Sequence, residues 1–219
     1  MEANMTSADA ALGAEGSVTS RPPPPAPTLA IGVGWTAWLI DDTRSRGIGA
    51  EARRLGAAMG LAAIYGLALG GRGGGVSMLA HAAGVPAALA AVALLGAPSL
   101  HIILALFDAP VKPLETLAAT ARALATTGIV LAGTAPAAAL FVVTSEEVGA
   151  ARATAIVGLC VAGGLGLRRW FRDMRGALAP ADSATRHVAL LVLVGFVVFA
   201  VVLAARVWAH TLPLFGGVS

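Results

Sequence analysis

The chain has few charged residues and few side chains that could take part in catalysis or bind a metal ion. Asp, Glu, Lys and Arg make up 12% of its 219 residues, and it has one cysteine and one tyrosine. Soluble domains carry about 25% charged residues. The lone Cys160 excludes an internal disulfide and a Cys-x-x-Cys metal site, and we interpret it as a small packing residue. An H-E-x-x-H zinc motif and a G-x-S-x-G nucleophile elbow are both absent. The sequence therefore predicts no catalytic, cofactor-binding or metal-binding residue.

What remains is apolar, with 57% hydrophobic residues and a mean hydropathy of +0.80. A water-soluble fold could not cover so much apolar surface, so lipid must be the solvent for most of it. The sequence predicts an all-α integral membrane protein with a bundle of about five transmembrane helices. The predicted membrane domain covers residues 55–210, with passes at residues 55–71, 85–107, 123–144, 148–167 and 187–207.

The basic residues alternate between the segments that separate these passes. Twelve of the fifteen lie on alternate segments, which include the one before the first pass and the one before the last. Basic residues accumulate on the cytoplasmic side of a membrane. The pattern predicts a cytoplasmic N-terminus and an external C-terminus. The high arginine, alanine and glycine content is typical of a GC-rich genome, and we therefore expect the membrane to be a bacterial inner membrane. The pI near 10 therefore indicates membrane anchoring and not a nucleic-acid partner.

The N-terminal region differs from the rest in composition. Residues 1–27 lack large apolar side chains and end in a proline run, which predicts a disordered cytoplasmic spacer or, alternatively, a ligand for a proline-binding groove. The acidic first twenty residues have no apolar core, so we expect no signal peptide. Residues 28–54 are predicted to form an interfacial and polar cytoplasmic segment, and residues 211–219 a short external tail.

Prolines and glycines predict where the helices bend and pack. Pro98 and Pro136 should free the carbonyls of Leu94 and Ala132, with Thr134 and Thr126 available to compensate near Pro136. Residues 76–84 are expected to lie at the interface before the second pass. The first pass holds two small-xxx-small pairs, which predict close packing within the bundle or, alternatively, homo-oligomerisation: Gly56 with Gly60, and Gly66 with Gly70.

The main cytoplasmic loop is predicted at residues 168–186. It combines five arginines with aromatic side chains, a composition typical of contacts with anionic lipids, although a protein partner or simple anchoring would use the same residues. The predicted lipid or partner contacts are Arg168, Arg169, Trp170, Arg172 and Arg175.

Two other classes of function remain open. A small transporter or channel subunit would use a path past Pro98 and Pro136, with Glu146, Glu147 and Arg152 as an outer access point and His101 in the membrane. A haem anchor would need His101 and His187 as axial ligands on facing helices.

The layout resembles the Yip1-like integral membrane proteins, over about residues 50–210. The features that carry the resemblance are a proline-containing cytoplasmic tail, five closely spaced passes, the turn Leu-Ala-Leu-Phe-Asp-Ala-Pro at residues 104–110 and a fourth pass rich in small residues. The resemblance implies a helical membrane bundle without catalytic residues and a role in membrane organisation, which in eukaryotic members involves vesicle trafficking and small GTPases. The sequence thus predicts a non-catalytic membrane organiser or assembly partner that acts through its tail or its arginine-rich loop.

Overall fold

The computed structural model describes residues 38–40 and 47–212, and this part of the chain contains helices and no strand. The helices are α1 (Ile48–Gly70), α2 (Gly74–Ala91), α3 (Ala97–Leu106), α4 (Pro113–Thr144), α5 (Val148–Ala177) and α6 (Ser183–Thr211). A single 3₁₀ turn, Gly71–Gly73, links α1 to α2, and a π-helical turn, Val92–Gly96, links α2 to α3. The predicted disordered tail, residues 1–27, and most of the external tail lie outside the described residues.

Four helical segments are long and apolar enough to cross a membrane: Ile48–Leu106, Pro113–Thr144, Val148–Ala177 and Ser183–Thr211. This confirms the prediction of an all-helical chain with several apolar helices. The first segment has 59 residues, and as a straight helix it would be about 90 Å long. It reverses instead, because Gly74 adopts a φ of +76° and α2 packs back along α1.

The α1–α2 hairpin is closed by two glycines. A Cβ on Gly66 would lie 2.8 Å from the Cα of Ala82, and a Cβ on Gly70 would lie 2.8 Å from the backbone N of Met78. His81 of α2 is 2% exposed, and its Nδ1 lies 2.8 Å from the carbonyl O of Ser77. Residues 76–84, predicted to form an interfacial piece, belong to α2 and pack against α1, and their position relative to the membrane stays a prediction.

An irregular turn lies directly before the proline of the second predicted pass. The π-helical turn ends two residues before Pro98, where the missing N–H removes a backbone hydrogen bond. Ser99 Oγ donates to the carbonyl of Leu95 at 2.7 Å. Near Pro136 the compensation differs from the prediction, since Thr134 Oγ1 donates to the carbonyl of Val130 at 2.9 Å and not to that of Ala132.

Local signals define the turn between α3 and α4. Asp108 has a φ of +52°, and the N–H of Ala109 donates to the carbonyl of Leu104 at 3.1 Å, as in a Schellman motif with Asp in place of glycine. Pro113 begins α4, and the Glu115 carboxylate accepts from the backbone N–H of Lys112 at 3.0 Å. A proline at the first position and an acidic residue in the first turn both favour the start of a helix here.

Two clusters of buried side chains hold the helices together. The larger one joins α1, α2, α4 and α5 around Tyr65, whose hydroxyl donates to the carbonyl of Ala155 at 3.4 Å. The smaller one joins α3, α5 and α6 around Leu104, Met174 and Leu193. Helix α6 is the most peripheral span, because only 17% of its most apolar window is buried. Its exposed Val, Leu and Phe side chains are suited to lipid contact.

Candidate functional site

The candidate site lies on the C-terminal third of α5. The prediction of a loop over residues 168–186 is wrong for residues 168–177, which continue the helix, and the loop shrinks to residues 178–182. The buried residues of α5 recur every three or four positions as far as Trp170 and Met174. One face of the helix therefore stays packed against its neighbours after the apolar stretch has ended. Arg169 and Asp173 add an i, i+4 ion pair along the same stretch.

This helical continuation places four arginines together. Arg168, Arg172 and Arg175 are spaced by four and three residues and therefore share one face of α5, with Arg169 beside them. We call these four residues the arginine cluster. All four line a cavity of about 690 Å³, together with Ile40, Thr126, Leu165 and Phe171.

The electrostatics of the cluster are dominated by positive charge. The Asp173 carboxylate accepts from Arg122 Nε at 2.9 Å and from Arg169 Nε at 3.4 Å, and Arg172 Nε lies 4.0 Å away. Within the described residues, neither Arg168 nor Arg175 has an acidic partner at ion-pair distance. Three guanidinium groups thus lie within 4.0 Å of one carboxylate, and Arg168 and Arg175 add further positive charge to the same end of α5, which leaves a strongly cationic surface.

Residues 38–40, part of the segment predicted to be cytoplasmic, contact the bundle beside this surface. Arg169 donates to the carbonyl of Ile40 at 3.0 Å, and Arg54 donates to the carbonyl of Trp38 at 3.1 Å. Leu39 between them is 1% exposed and belongs to the larger buried cluster. The described part of the segment predicted to be interfacial is therefore anchored to the bundle.

Trp170 is the one predicted contact residue that the structure places elsewhere. It lies on the opposite face of α5, is 3% exposed and stacks on Phe196 of α6, with ring centroids 4.9 Å apart. Trp170 is therefore a packing residue, since it follows the three- to four-residue spacing of the buried residues of α5. Arg122 and Asp173 belong to the site and were not predicted. The i, i+4 spacing of Arg169 and Asp173 was the sequence signal for Asp173.

Among the residues of the alternative functions, His187 and Glu146 have local hydrogen-bond partners. His187 Nδ1 lies 2.6 Å from the carbonyl O of Ser183, within the first turn of α6. The Nδ1 of His101 in α3 is buried without a hydrogen-bond partner in the described chain. The carbonyl of Glu146 accepts from Arg72 at 2.6 Å, which ties the α1–α2 turn to the α4–α5 turn. Across residues 38–40 and 47–212, three or more His, Cys, Asp or Glu side chains do not gather in a metal-binding group.

Comparisons of this chain with protein-family models, curated proteins and solved structures find no match. The resemblance to Yip1-like proteins stays a prediction.

Proposed function

We propose that this protein is a non-catalytic, five-pass membrane protein that organises anionic lipids, or assembles a partner with them, through its arginine cluster. The observation that carries the proposal is the arginine cluster, which lines a cavity at one end of α5, with three arginines (Arg122, Arg169 and Arg172) within 4.0 Å of the carboxylate of Asp173. Phosphate oxygens are the acceptors that several guanidinium groups bind together.

The proposed topology supports this assignment. The hairpin of α1 and α2 divides the first apolar segment into two crossings, and α4, α5 and α6 supply three more. With the N-terminus in the cytoplasm of a bacterial inner membrane, the arginine cluster lies at the cytoplasmic leaflet. Basic residues next to a membrane gain about 1 kcal/mol each from an anionic surface.

The form of the cluster favours headgroup binding over anchoring alone. A topological signal needs charge only, and scattered side chains would serve. Here Arg122 and Arg169 are held in place by Asp173, with 13% and 18% exposure of their side chains. A guanidinium fixed before binding loses less rotamer entropy when it contacts a phosphate. The Yip1-like role in membrane organisation agrees with this proposal.

The first experiment measures lipid retention. We would extract the full-length protein from membranes with a polymer that preserves surrounding lipid, and quantify the lipids that remain bound. We expect anionic phospholipid to be enriched around the wild-type protein. The triple variant Arg168→Gln, Arg172→Gln, Arg175→Gln should lose the enrichment, while the Lys versions of the same positions should retain part of it.

The matched control is Arg53→Gln, because Arg53 is an exposed arginine of α1 outside the cluster. We would compare it with the single variant Arg172→Gln, which removes the same charge from inside the cluster. Equal lipid enrichment in the wild type and the triple variant would contradict the proposal. A Soret band in the purified protein would contradict it as well, and would redirect attention to His101 and His187.

A further inference from the structure

Three consecutive residues ahead of α1, residues 38–40, are docked on the bundle beside the arginine cluster. Leu39 supplies the apolar contact, because it is 1% exposed and belongs to the larger buried cluster, whereas Trp38 and Ile40 on either side of it are 38% and 36% exposed. The carbonyls of these two flanking residues accept from Arg54 and Arg169, at 3.1 and 3.0 Å. We call residues 38–40 the docked segment.

The docked segment is connected to the cavity of the arginine cluster in two ways. Ile40 lines that cavity directly. Arg169 lines the cavity as well, and it donates the hydrogen bond to the carbonyl of Ile40. A ligand inside the cavity therefore lies against both the bundle and the docked segment.

Docking also orients Arg169. Its Nη2 group donates to the carbonyl of Ile40 at 3.0 Å, a shorter bond than the 3.4 Å contact of its Nε with the carboxylate of Asp173. The two bonds use different nitrogens of one planar guanidinium, and together they fix the orientation of its plane. Detachment of the docked segment removes the shorter bond. A phosphate group should then bind the cluster more weakly, because Arg169 would lose more rotamer entropy on contact.

We propose that an anionic phosphate ligand in the cavity of the arginine cluster strengthens the attachment of the docked segment to the bundle. This inference rests on the proposed function and adds a form of regulation to it. A ligand that binds the docked form more tightly shifts the equilibrium toward that form, and docking raises the affinity for the ligand by the same factor. Since the proline run precedes residue 38 in the sequence, lipid at the cluster then controls how the predicted tail is connected to the bundle.

The reactivity of a buried thiol measures the docking. In a Cys160→Ala background, Leu39→Cys places a single thiol at the buried position, where it reacts with an uncharged maleimide only when the docked segment opens. Phosphatidylglycerol is added to the full-length protein in micelles of a neutral detergent, at about tenfold excess over its Kd. It should slow the reaction severalfold, and by about tenfold where it binds the docked form alone.

Two further ligands identify the chemistry that is recognised. Phosphatidylcholine should slow the reaction much less, because its choline group cancels the charge of the phosphate. Inorganic phosphate at matched ionic strength separates a free anion from a lipid headgroup. Slowing by phosphatidylglycerol alone would support the inference with the lipid as ligand, and slowing by both would support it with the phosphate group itself as the recognised element.

Trp38→Cys in the same background is the matched control. Residue 38 is exposed in the docked segment, so its thiol should react at the same rate with and without phosphatidylglycerol. The triple glutamine variant of the arginine cluster provides the second control, because it keeps Arg169 and its bond to Ile40. In that variant phosphatidylglycerol should no longer slow the reaction of Leu39→Cys.

Lipid binding and thiol reactivity are measured on the same samples, so that the two proposals fail separately. Phosphatidylglycerol that binds but leaves the reaction rate of Leu39→Cys unchanged would overturn the inference and leave the proposed function standing. A faster reaction would overturn it as well, since it would show that the lipid displaces the docked segment. Absence of phosphatidylglycerol binding to the wild-type protein would overturn both proposals.

The reciprocal effect gives an independent test. Leu39→Ala removes most of the apolar anchor but keeps the backbone carbonyls, and it should weaken phosphatidylglycerol binding severalfold in native mass spectrometry. Leu79→Ala is its matched control, because Leu79 is an exposed leucine of α2 that does not line the cavity. Equal affinities of the two variants would overturn the coupling between the docked segment and the cluster.

Discussion

Glu51 and Arg54 form a buried ion pair one helical turn apart on α1. The Arg54 guanidinium donates to both carboxylate oxygens of Glu51, at 3.1 and 2.9 Å, and the two side chains are 2% and 1% exposed. Arg54 also donates a hydrogen bond to the carbonyl of Trp38. An arginine that the sequence assigns to topology alone therefore joins residues 38–40 to α1.

Glu51→Leu should destabilise the protein by about 3–5 kcal/mol, because it leaves the Arg54 charge buried without its carboxylate. The double variant Glu51→Leu, Arg54→Met should recover most of that loss, since an apolar pair needs no compensation. The free energy of unfolding in a denaturing detergent titration measures both. A double variant that is less stable than the single variant would contradict this account.

Asp182 caps the N-terminus of α6 in the loop after α5. Its carboxylate accepts from the backbone N–H groups of Ala184 and Thr185, at 3.0 and 3.2 Å. Hydrogen bonds from Thr185, side chain first and then backbone, lower the pKa of Asp182 below its ordinary value of 3.8. The cap therefore stabilises the folded state above the pKa of the unfolded chain, and this contribution is lost as the pH falls through the lowered folded pKa.

We expect wild type and Asp182→Asn to differ in stability by a constant amount at neutral and mildly acidic pH. The difference should shift in favour of Asp182→Asn below about pH 3.8, because asparagine caps the helix without titrating. The midpoints of thermal unfolding at a series of pH values measure this difference. A difference that stays constant down to the lowest pH would show that the cap does not depend on the carboxylate charge.

At the scale of the helix, the two glycine pairs of α1 have different surroundings. Gly66 and Gly70 face the backbone of α2 at close approach, whereas a Cβ on Gly56 or Gly60 would meet nothing within 4 Å. The identical spacing in the sequence therefore supports intramolecular packing for one pair only. Homo-oligomerisation through the open pair stays a prediction.

Gly66→Ala should destabilise the protein by about 1–3 kcal/mol, because its Cβ would overlap backbone atoms of α2 that cannot move independently. Gly56→Ala is the matched control and should be neutral or slightly stabilising, as alanine favours the helix. The same detergent titration compares the two variants. Equal destabilisation would indicate that Gly56 is also in contact, most simply with a second copy of the chain.

At the scale of the whole molecule, the turns alternate between two ends of the bundle. Arg72 in the α1–α2 turn donates to the carbonyls of Ser145 and Glu146 in the α4–α5 turn, at 3.0 and 2.6 Å, so these two turns share one end. The turn before α4 and the loop before α6 are separated from them by the helices. The five-pass proposal places the first pair of turns outside and the second pair inside.

Cysteine accessibility tests that topology. In a Cys160→Ala background, single cysteines at Gly75 and Glu146 should react with an impermeant reagent from the external side. Cysteines at Lys112 and Ala179 should react only after the membrane is permeabilised. Labelling of Gly75 from the same side as Lys112 would show that the α1–α2 hairpin does not cross twice.

The sequence alone determined the helical class, the apolar segments and several local features, because each depends on neighbours along the chain. Hydropathy marks the spans, and Pro113 and Glu115 mark the start of α4. Pro98 marks the irregular turn in the second predicted pass, since proline lacks a backbone N–H donor whatever surrounds it.

Only the tertiary structure decided which side chains meet. The sequence cannot tell that α5 continues through residues 168–177, because that helix is supported by packing of Met174 and by the carboxylate of Asp173 between Arg122 and Arg169. The sequence also cannot tell that Trp170 has a different role from the neighbouring arginines. An aromatic residue beside arginines is typical of a lipid contact, and only the stacking of Trp170 on Phe196 shows that it belongs to the core. The gap between α5 and α6 follows from how α6 packs on other helices, which no local pattern encodes.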